Sequence, residues 1–576
     1  MAYLLRIPLT LLCFSFLAFA PQRIAAQAAV NAASFANPNL LSGSLAQGGM
    51  FNVFGSDLGP TTLTKVGAFP LPTTLAGTSI SVTVGGTTLD CIMIFTSAGQ
   101  VAAILPSATP TGAGTMQVTY NGTATAPFAV TVVPHSFGTF AINSAGSGPS
   151  VLTSPITSAV NTIASSAAPG ELWDIWGTGL GAAPFPDDNI PIGQDLGYSV
   201  QVFVGGQQAQ VVYAGRSGCC AGVDQIRFVV PAGLSGCYVP VYVVVDGVPS
   251  NFTSMSIAAG GGACSDPGGI TAGSLSDGDL TVGIIALQRV SSEFSIQGSP
   301  SVSQTMTQVG EAASASYQRY DAQLAIREGF NGQLFTQGAC TVFFFQGESG
   351  RFNNPIEPIG LDAGQNTSIA GPPGARTLDK IDIGQYVVTL SNSQNPFAAL
   401  AESTKNLGLQ TMRAALGDGV DQGAAQFFTG GTYIYSAPGG ADVGPHSQDI
   451  TIPNPLDWTN KNQINQVTRS QGQTVTWTPT SGEVMISGIS FMRLTGQDAV
   501  GAGFFCLANG STGSFNIAPA ILQSLPVSAT FSFGGLSVET GTLLVGSNKR
   551  VDCQANGLDA CVVTYSDFVA KQVGYR

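Results

Sequence analysis

Two stretches of the sequence, Asp174–Ala182 (DIWGTGLGA) and Asn52–Pro60 (NVFGSDLGP), carry one pattern at two places in the 576-residue chain. In each, apolar residues run directly into a cluster of glycines. Glycine tolerates backbone angles that other residues avoid, so the pattern is typical of a β-strand that leaves its sheet through a tight corner. We therefore predict that the chain contains one β-unit twice, and that Gly55 and Gly177 adopt backbone angles closed to other residues.

Three further matches follow these stretches in the same order. They pair SISVTVGG (79–86) with YSVQVFVGG (198–206), QVAAILP (100–106) with QIRFVVP (225–231), and VTYNG (118–122) with VVVDG (243–247). Apolar residues that alternate with a period of two predict half-buried strands, and Asn-Gly and Asp-Gly predict two-residue hairpin turns with positive φ at both positions. The repeated order predicts a duplicated domain, with copies at 29–133 and 134–258.

These motifs, together with VNAASF (30–35) and DGVPSN (246–251), resemble the secreted acidobacterial (Solibacter-type) β-sandwich modules related to IPT/TIG immunoglobulin-like domains. The resemblance covers residues 30–258. It implies that each copy is an Ig-like β-sandwich, and it implies no reaction.

The repeated pattern ends after the second copy, and a glycine-rich stretch and a longer region of different sequence follow. The glycine-rich stretch 259–269 (AGGGACSDPGG) predicts a flexible linker. Alternating stretches continue through 270–576 and predict a larger β-rich region, which we interpret as two β-sandwich subdomains. A loosely helical pattern near 396–420 predicts a short helical insertion. The predicted fold class is all-β, with tandem Ig-like β-sandwiches followed by this C-terminal region.

The first 28 residues have the pattern of a Sec-type signal peptide. MAYLLR carries one basic residue, IPLTLLCFSFLAFA is apolar, and Ala26-Gln27-Ala28 is a small-residue cleavage site. Cleavage there predicts a mature chain that begins at Ala29 and has no membrane span. We therefore expect the protein to be extracellular or on the cell surface.

Ten cysteines are present, and Cys13 lies inside the apolar run of the signal peptide. The nine that remain are an odd number in a protein that we expect to be exported into an oxidising space, so at least one stays unpaired within the chain. We predict disulfides between Cys553 and Cys561, between Cys340 and Cys506, and between Cys237 and either Cys219 or Cys220, with Cys91 as a buried free thiol.

Composition and motifs exclude several classes of function. Charged residues make up 9% of the chain and the net charge is −13, without a lysine and arginine cluster that could neutralise phosphates, so nucleic acid is not expected as a partner. The only histidines are His135 and His446, which is too few for a zinc site of usual spacing, and no G-x-S-x-G motif is present. We predict no catalytic and no cofactor-binding residues.

Two kinds of ligand contact stay open. Calcium could take oxygen ligands from Asp187 and Asp188 (PDDN) or from Asp277 and Asp279 (SDGD), although turn formation explains both motifs as well. Trp458 in PNPLDWTN has a loop-like context and is the candidate for stacking on a sugar ring.

The sequence therefore favours a secreted or cell-surface structural or adhesive binding protein, because rigid sandwiches present loops at their ends for recognition. Its ligand is an unknown extracellular partner, either a polysaccharide or a surface protein. One alternative is an extracellular carbohydrate-active enzyme with an Asp/Glu pair in the C-terminal half. Another is a subunit of a surface polymer joined by donated strands.

Overall fold

The computed structural model describes residues 28–265, 278–297, 303–321, 336–345, 359–364, 367–372, 374–377, 427–492, 500–533 and 536–576. Strands dominate these residues, which confirms the all-β fold class. The described residues contain one short α-helix, α1 (Pro519–Gln523), and the 3-10 turns Leu41–Gly43, Lys461–Gln463, Arg469–Gln471 and Gly510–Thr512. No described helix has the length and apolar character needed to cross a membrane. The signal peptide up to residue 27, linker residues 266–269 and the insertion near 396–420 lie outside the described residues.

Residues 28–133, here called the first repeat, form two sheets packed face to face. The strands are β1 (Ala28–Asn31), β2 (Leu45–Ala46), β3 (Met50–Phe54), β4 (Thr64–Lys65), β5 (Thr74–Leu75), β6 (Thr78–Val84), β7 (Thr87–Asp90), β8 (Ile92–Thr96), β9 (Gln100–Ile104), β10 (Gly112–Tyr120), β11 (Thr123–Ala124) and β12 (Phe128–Val133). One sheet has the order β1-β3-β9-β8-β4 and the other β2-β12-β10-β6-β5. Alternate residues of β6, namely Ile80, Val82 and Val84, point into the core between them.

Residues 138–257, here called the second repeat, form a sheet that folds over itself around a separate core. Its strands are β13 (Gly138–Thr139), β14 (Leu152–Thr153), β15 (Leu172–Thr178), β16 (Gln194–Asp195), β17 (Val200–Val204), β18 (Gln207–Arg216), β19 (Asp224–Val229), β20 (Gly236–Val245), β21 (Val248–Pro249) and β22 (Thr253–Ile257). Strand β18 belongs to both layers, because it pairs with β17 over residues 207–209 and with β19 from Gln210 onward, with a bulge at Val212.

The two predicted hairpin turns are confirmed. Asn121 and Gly122 have φ angles of 48° and 79° between β10 and β11, and Asp246 and Gly247 have φ angles of 46° and 85° between β20 and β21. Positive φ at both central residues is the type I′ requirement that matches the twist of the flanking strands.

The corner glycines differ from the prediction. Gly55 and Gly177 do not have positive φ; in the second repeat the left-handed positions are Gly179 (φ 100°) and Gly181 (φ 136°). Gly177 is required for a different reason, since a Cβ there would lie 2.3 Å from the carbonyl oxygen of Gly138. Strand β13 pairs with β15 at this point, so the constraint is close backbone approach rather than backbone angle.

The C-terminal region contains a large sheet flanked by two small ones. Its strands are β23 (Asp279–Gln297), β24 (Ser303–Asp321), β25 (Cys340–Phe345), β26 (Ile359–Gly360), β27 (Ser368–Gly371), β28 (Gly374–Thr377), β29 (Gly431–Ala437), β30 (His446–Ile452), β31 (Gln466–Val467), β32 (Gln473–Thr476), β33 (Glu483–Met492), β34 (Val500–Asn509), β35 (Ser514–Ile517), β36 (Thr530–Phe533), β37 (Leu536–Glu539), β38 (Gly541–Asp552) and β39 (Ala560–Tyr575). The large sheet has the order β25-β34-β33-β38-β39-β23-β24-β26, and the small sheets are β28-β27-β29-β30 and β32-β35. Most of these strands belong to one large sheet, and the division into two sandwich subdomains stays a prediction.

The second repeat packs against the C-terminal region through aromatic side chains. Tyr242 stacks on Phe203 and Phe252, with ring centroids 4.9 and 4.5 Å apart. Tyr242 and Phe252 also belong to the core cluster that contains Trp458 and Trp477. The outer face of β20 is therefore covered, and every residue of that strand is buried.

The disulfides match the predicted set in part. Cys340 is joined to Cys506, which lies directly opposite on β34, and Cys553 is joined to Cys561. The predicted bond from Cys237 to Cys219 or Cys220 is wrong. The pairing of β20 with β22 brings the residues after β22 past Cys237, which is bonded to Cys264, while Cys219 is bonded to its neighbour Cys220.

Two further cysteine-linked features bear on the predictions. Cys91 is a buried free cysteine, and burial, with a contribution from Asp90, raises the pKa of its thiol. Cys264 lies in the predicted flexible linker, yet it is buried, and its N–H donates to the carbonyl of Ile163 at 2.9 Å. Residues 259–265 are therefore tied to the second repeat, because a disulfide and hydrogen bonds override the flexibility that their glycines predict.

A Gly177→Ala substitution should destabilise the second repeat by about 1 to 3 kcal/mol, because the added Cβ would meet backbone that cannot move independently. Gly55→Ala is the matched control, since its Cβ would meet only Leu58 side-chain atoms at 3.2 Å. Calorimetric unfolding of the full chain measures both. Equal melting profiles for the two variants would contradict the close-approach argument.

Candidate functional site

The two repeats meet at a glycine-lined contact, here called the repeat junction. The corner Gly177–Gly181 of the second repeat lies on Gly48 and Gly49 of the first. A Cβ at Gly49 would be 3.1 Å from the Cα of Gly179, and a Cβ at Gly48 would be 3.0 Å from the carbonyl oxygen of Gly181. The repeated glycine pattern therefore serves a second purpose in the second copy, where it allows two backbones to approach closely.

A buried arginine fills the centre of the repeat junction. Arg216 is 4% exposed, at the end of β18, and its guanidinium forms an ion pair with the fully buried Asp224. Its Nη2 also donates to the carbonyl of Gly48 at 2.9 Å and to that of Gly181 at 2.7 Å. A planar guanidinium has several N–H donors that point in different directions, so it can bind oxygen acceptors from both repeats at once.

Asp224 is positioned by the corner as well as by Arg216. One of its carboxylate oxygens accepts the N–H of Leu180 at 2.8 Å. Burial raises the pKa of Asp224, while Arg216 and the N–H groups of Leu180 and Gly179 lower it. Among these effects burial is the largest, so the carboxylate depends on its partners to remain charged.

Arg216 and Asp224 are not among the site residues predicted from the sequence. A signal was present in the matched stretches, since Asp224 precedes QIRFVVP where Gly99 precedes QVAAILP in the first repeat. The pair is thus a feature of the second copy. A charged residue that replaces glycine beside a matched strand indicates a role outside the sandwich core.

Hydroxyl and amide groups extend the junction on both sides of the ion pair. The N–H of Met50 donates to the hydroxyl of Thr178 at 2.7 Å, and that hydroxyl donates to the carbonyl of Gly222 at 2.6 Å. The amide of Asn31, in the VNAASF motif, donates to the carbonyls of Ser136 and Thr178. Buried polar groups that are paired in this way rigidify a contact.

The segment that connects the repeats is also fixed. His135 Nδ1 donates to the carbonyl of Leu180 at 2.6 Å, and Nε2 lies 2.9 Å from a carboxylate oxygen of Asp246. Its ring packs edge-on against Tyr198, whose hydroxyl donates to the carbonyl of Ala182. His135 therefore joins the connecting segment to two loops of the second repeat, as a structural residue.

The loop 182–193 of the second repeat lies against the first repeat beside the junction. Ser107 donates to the carboxylate of Asp187 from its N–H at 2.7 Å and from its hydroxyl at 2.8 Å. The carbonyl of Asp188 accepts the N–H of Leu71 at 2.7 Å. These bonds hold the loop in a fixed position relative to the first repeat.

The calcium candidates do not come together. Asp187 is engaged by Ser107, Asp188 follows it in the same loop, and Asp279 lies 3.9 Å from Arg319 in the C-terminal region. Asp277 lies outside the described residues. In the part of the chain that the structure describes, no three His, Cys, Asp or Glu residues are grouped to hold a metal ion.

Trp458 is not an exposed platform. It is 5% exposed, it forms a β-bridge with Trp477, and its indole N–H donates to Asn460. The loop-like sequence around it folds back onto the core of the C-terminal region. Its large apolar ring is more favourably buried there than exposed.

His446 belongs to a buried hydrogen-bond chain in the C-terminal region. Its Nε2 accepts from the hydroxyl of Tyr317 at 2.9 Å, and its Nδ1 donates to the carbonyl of Gly444 at 3.0 Å. The hydroxyl of Tyr317 also contacts that of Tyr435 at 2.5 Å. Burial raises the pKa of Tyr435 to about 12 and raises that of Tyr317 further, so both phenols stay neutral near pH 7.

Comparisons with known proteins identify no family. No family model and no curated protein matches the chain. A Bacteroides ovatus mixed-linkage glucan utilization locus protein, SGBP-B, in complex with a mixed-linkage heptasaccharide, aligns at 13% identity over 48% of this chain and 64% of its own, with a TM-score of 0.19. The plexin A4 extracellular region aligns at 13% identity over 39% and 18%, with a TM-score of 0.12. A gamma-CGTase from alkalophilic Bacillus clarkii aligns at 11% identity over 48% and 35%, with a TM-score of 0.15.

Each alignment covers less than two thirds of the other protein. At these TM-scores the likenesses support no conclusion about function.

An Arg216→Met substitution should destabilise the protein by about 3 to 5 kcal/mol, because it leaves Asp224 buried without its counter-ion. Arg550→Met is the control, since Arg550 pairs with the exposed carboxylate of Asp552 and an exposed pair contributes under about 1 kcal/mol. Urea unfolding of the full chain gives both values. If Arg216→Met lowers the free energy of unfolding by no more than Arg550→Met does, the central role of the Arg216–Asp224 ion pair is contradicted.

Proposed function

We propose that the protein is an exported adhesive or structural binding protein, and that it binds its ligand with the loops beside the repeat junction. One observation carries the proposal. Ile190 and Ile192 on loop 182–193 are 70% and 59% exposed, and Phe69 on the neighbouring loop of the first repeat is 41% exposed. The hydrogen bond from Leu71 to Asp188 places these two loops side by side. Exposed apolar groups gathered on fixed loops are typical of interaction surfaces.

The chemistry of these loops favours a protein as the ligand over a polysaccharide. Aliphatic side chains such as those of Ile190 and Ile192 gain free energy by burial against another apolar surface. Sugar binding would favour an exposed indole, but Trp173, Trp458 and Trp477 are buried in the described part of the chain, and Trp176 is half-buried. We therefore propose a surface protein as the partner.

Export to the cell exterior is part of the proposal. Four disulfides join eight of the described cysteines, and such bonds persist in oxidising compartments. The signal-peptide pattern before Ala29 agrees with this compartment.

The domain assignment is also a proposal. We assign 29–133 and 134–258 to Ig-like modules of the IPT/TIG-related kind, on the motifs quoted above. The separate cores of the two repeats support it. The enzyme and the polymer subunit stay predictions, since no particular contact in the described ranges favours either.

The double substitution Ile190→Ser/Ile192→Ser should weaken binding to surface proteins at least about tenfold, because burial of each isoleucine contributes about 1.5 to 3 kcal/mol. The probe is the outer-surface fraction of the source cells, immobilised and titrated with the full chain. Ile156→Ser is the matched control. Ile156 is 81% exposed, on a loop that follows β14 at the end of β15 opposite the repeat junction.

The same assay identifies the class of ligand. Protease treatment of the fraction should abolish binding, whereas periodate oxidation of its sugars should leave binding intact. Equal binding by Ile190→Ser/Ile192→Ser and by Ile156→Ser would refute the assignment of the binding surface. Binding that survives protease treatment but is lost after periodate oxidation would indicate a polysaccharide.

Export predicts a mature protein that begins at Ala29, after cleavage behind Ala26-Gln27-Ala28. N-terminal sequencing of protein recovered from the culture medium or released from the cell surface tests this. Recovery of the chain only from the cytoplasm, with Met1 or Ala2 at its terminus, would contradict it.

A further inference from the structure

The disulfide between Cys219 and Cys220 differs from the other three in its exposure. It joins adjacent residues and so closes a small ring that includes their peptide bond. Both cysteines are exposed, whereas the six cysteines of the other disulfides are buried. Thiol–disulfide exchange requires access of a thiolate to sulfur, so this bond is the one open to reaction in the folded protein.

This disulfide does not cross-link distant parts of the chain. The longer the loop that a disulfide closes, the more the disulfide restricts the unfolded state. The Cys219–Cys220 disulfide joins adjacent residues and closes no loop of intervening residues. The other three span 8, 27 and 166 residues. Its effect must therefore be local, on the turn between β18 and β19 that contains it.

The turn is a compact hydrogen-bonded unit. The N–H of Ser217 donates to the carbonyl of Val223 at 3.0 Å, and the N–H of Val223 donates to the carbonyl of Cys220 at 3.2 Å. The Ser217 hydroxyl donates to the carbonyl of Cys220 at 3.1 Å and accepts the N–H of Cys220 at 3.3 Å. Cys220 thus makes most of the contacts that close the turn.

The same turn touches the first repeat. Ala221 packs against the apolar cluster that contains Leu71 and Ile104, and a Cβ at Gly222 would lie 2.5 Å from Met50. The carbonyl of Gly222 accepts the Thr178 hydroxyl, to which Met50 donates. The turn is therefore part of the repeat junction.

Arg216 and Asp224 mark the two ends of this turn. They are the last residue of β18 and the first residue of β19, and they form the buried ion pair of the junction. A change in the conformation of the turn therefore acts on the ion pair from both sides.

We propose that the Cys219–Cys220 disulfide is redox-sensitive and that, while it is intact, it stabilises the contact between the two repeats at the repeat junction. An extracellular dithiol is the reductant. Its thiolate attacks one cysteine sulfur, which breaks the Cys219–Cys220 bond, releases the other cysteine as a thiol and forms a mixed disulfide. The second thiol of the reductant then attacks the reductant sulfur of that mixed disulfide, which closes the reductant's own disulfide and releases the remaining cysteine as a thiol. The protein gains two electrons and two protons as two thiols, and the dithiol becomes a disulfide. The opened ring frees the Cys219–Cys220 peptide unit, which loosens the contact of Gly222 with Met50.

Reduction is confined to this bond for a physical reason. The remaining disulfides are buried within the second repeat or the C-terminal region. Cys91 cannot exchange with the opened pair, because it is fully buried and burial raises the pKa of its thiol. The inference depends on the junction alone and is independent of the ligand proposed above.

The test uses the full chain and dithiothreitol under native conditions. Alkylation and peptide mapping should label Cys219 and Cys220 and leave the other disulfides intact. Amide hydrogen exchange should then increase about tenfold or more at Met50, whose N–H donates across the junction to Thr178, and at Leu180, whose N–H donates to Asp224 of the buried ion pair. Exchange at Val82, inside the first repeat, should stay unchanged.

The variant Cys219→Ser/Cys220→Ser should show the fast exchange of the reduced protein at Met50 and Leu180, and dithiothreitol should not change it further. If this variant does not fold, reoxidation of the reduced wild-type chain serves instead and should restore slow exchange. Unchanged exchange after complete reduction would overturn the proposal, as would labelling of other disulfides first or free thiols at both positions in protein purified without reductant.

Discussion

The buried charge of Arg216 constrains how the two repeats are arranged. A guanidinium removed from water is stable only when its donors meet acceptors, and here the acceptors come from Asp224 and from carbonyls of both repeats. A rotation of one repeat would separate the guanidinium from the carbonyl of Gly48 and leave that acceptor and part of the charge unpaired. Glycine is required at position 48 because a Cβ there would lie 2.0 Å from Nη2 of Arg216. Charge and close backbone approach thus select one orientation.

The second repeat is the central unit, and this explains why its sequence alternates less regularly than that of the first. In β6 of the first repeat, buried and half-buried residues alternate, as expected for a strand with one wet face. All ten residues of β20 are buried, because its inner face joins the second-repeat core and its outer face packs on the C-terminal region through Tyr242 and Val244. This strand is rich in valine because both of its faces are buried, one in the second-repeat core and the other against the C-terminal region.

Local features were predictable from sequence, and contacts between distant segments were not. The Asn121-Gly122 turn follows from two residues, because asparagine and glycine tolerate positive φ better than other residue types. The partner of Cys237 depends instead on where the chain passes after β22, which no local pattern encodes. The burial of Trp458 is not predictable from its surroundings in the sequence for the same reason, since it depends on a bridge to Trp477 from another segment. The Arg216–Asp224 pair had a sequence signal, but its meaning required the position of the first repeat.

The repeat junction also determines how the exposed loops can bind. Loop 182–193 is held by Ser107 and Leu71 of the first repeat, so Ile190 and Ile192 are presented on a fixed support although they belong to the second. Binding by an ordered loop costs less conformational entropy than binding by a flexible one. A looser junction would raise that cost and lower affinity without altering a contact residue. Affinity at these loops is then coupled to the state of the Cys219–Cys220 turn, since both depend on the same contact between the repeats.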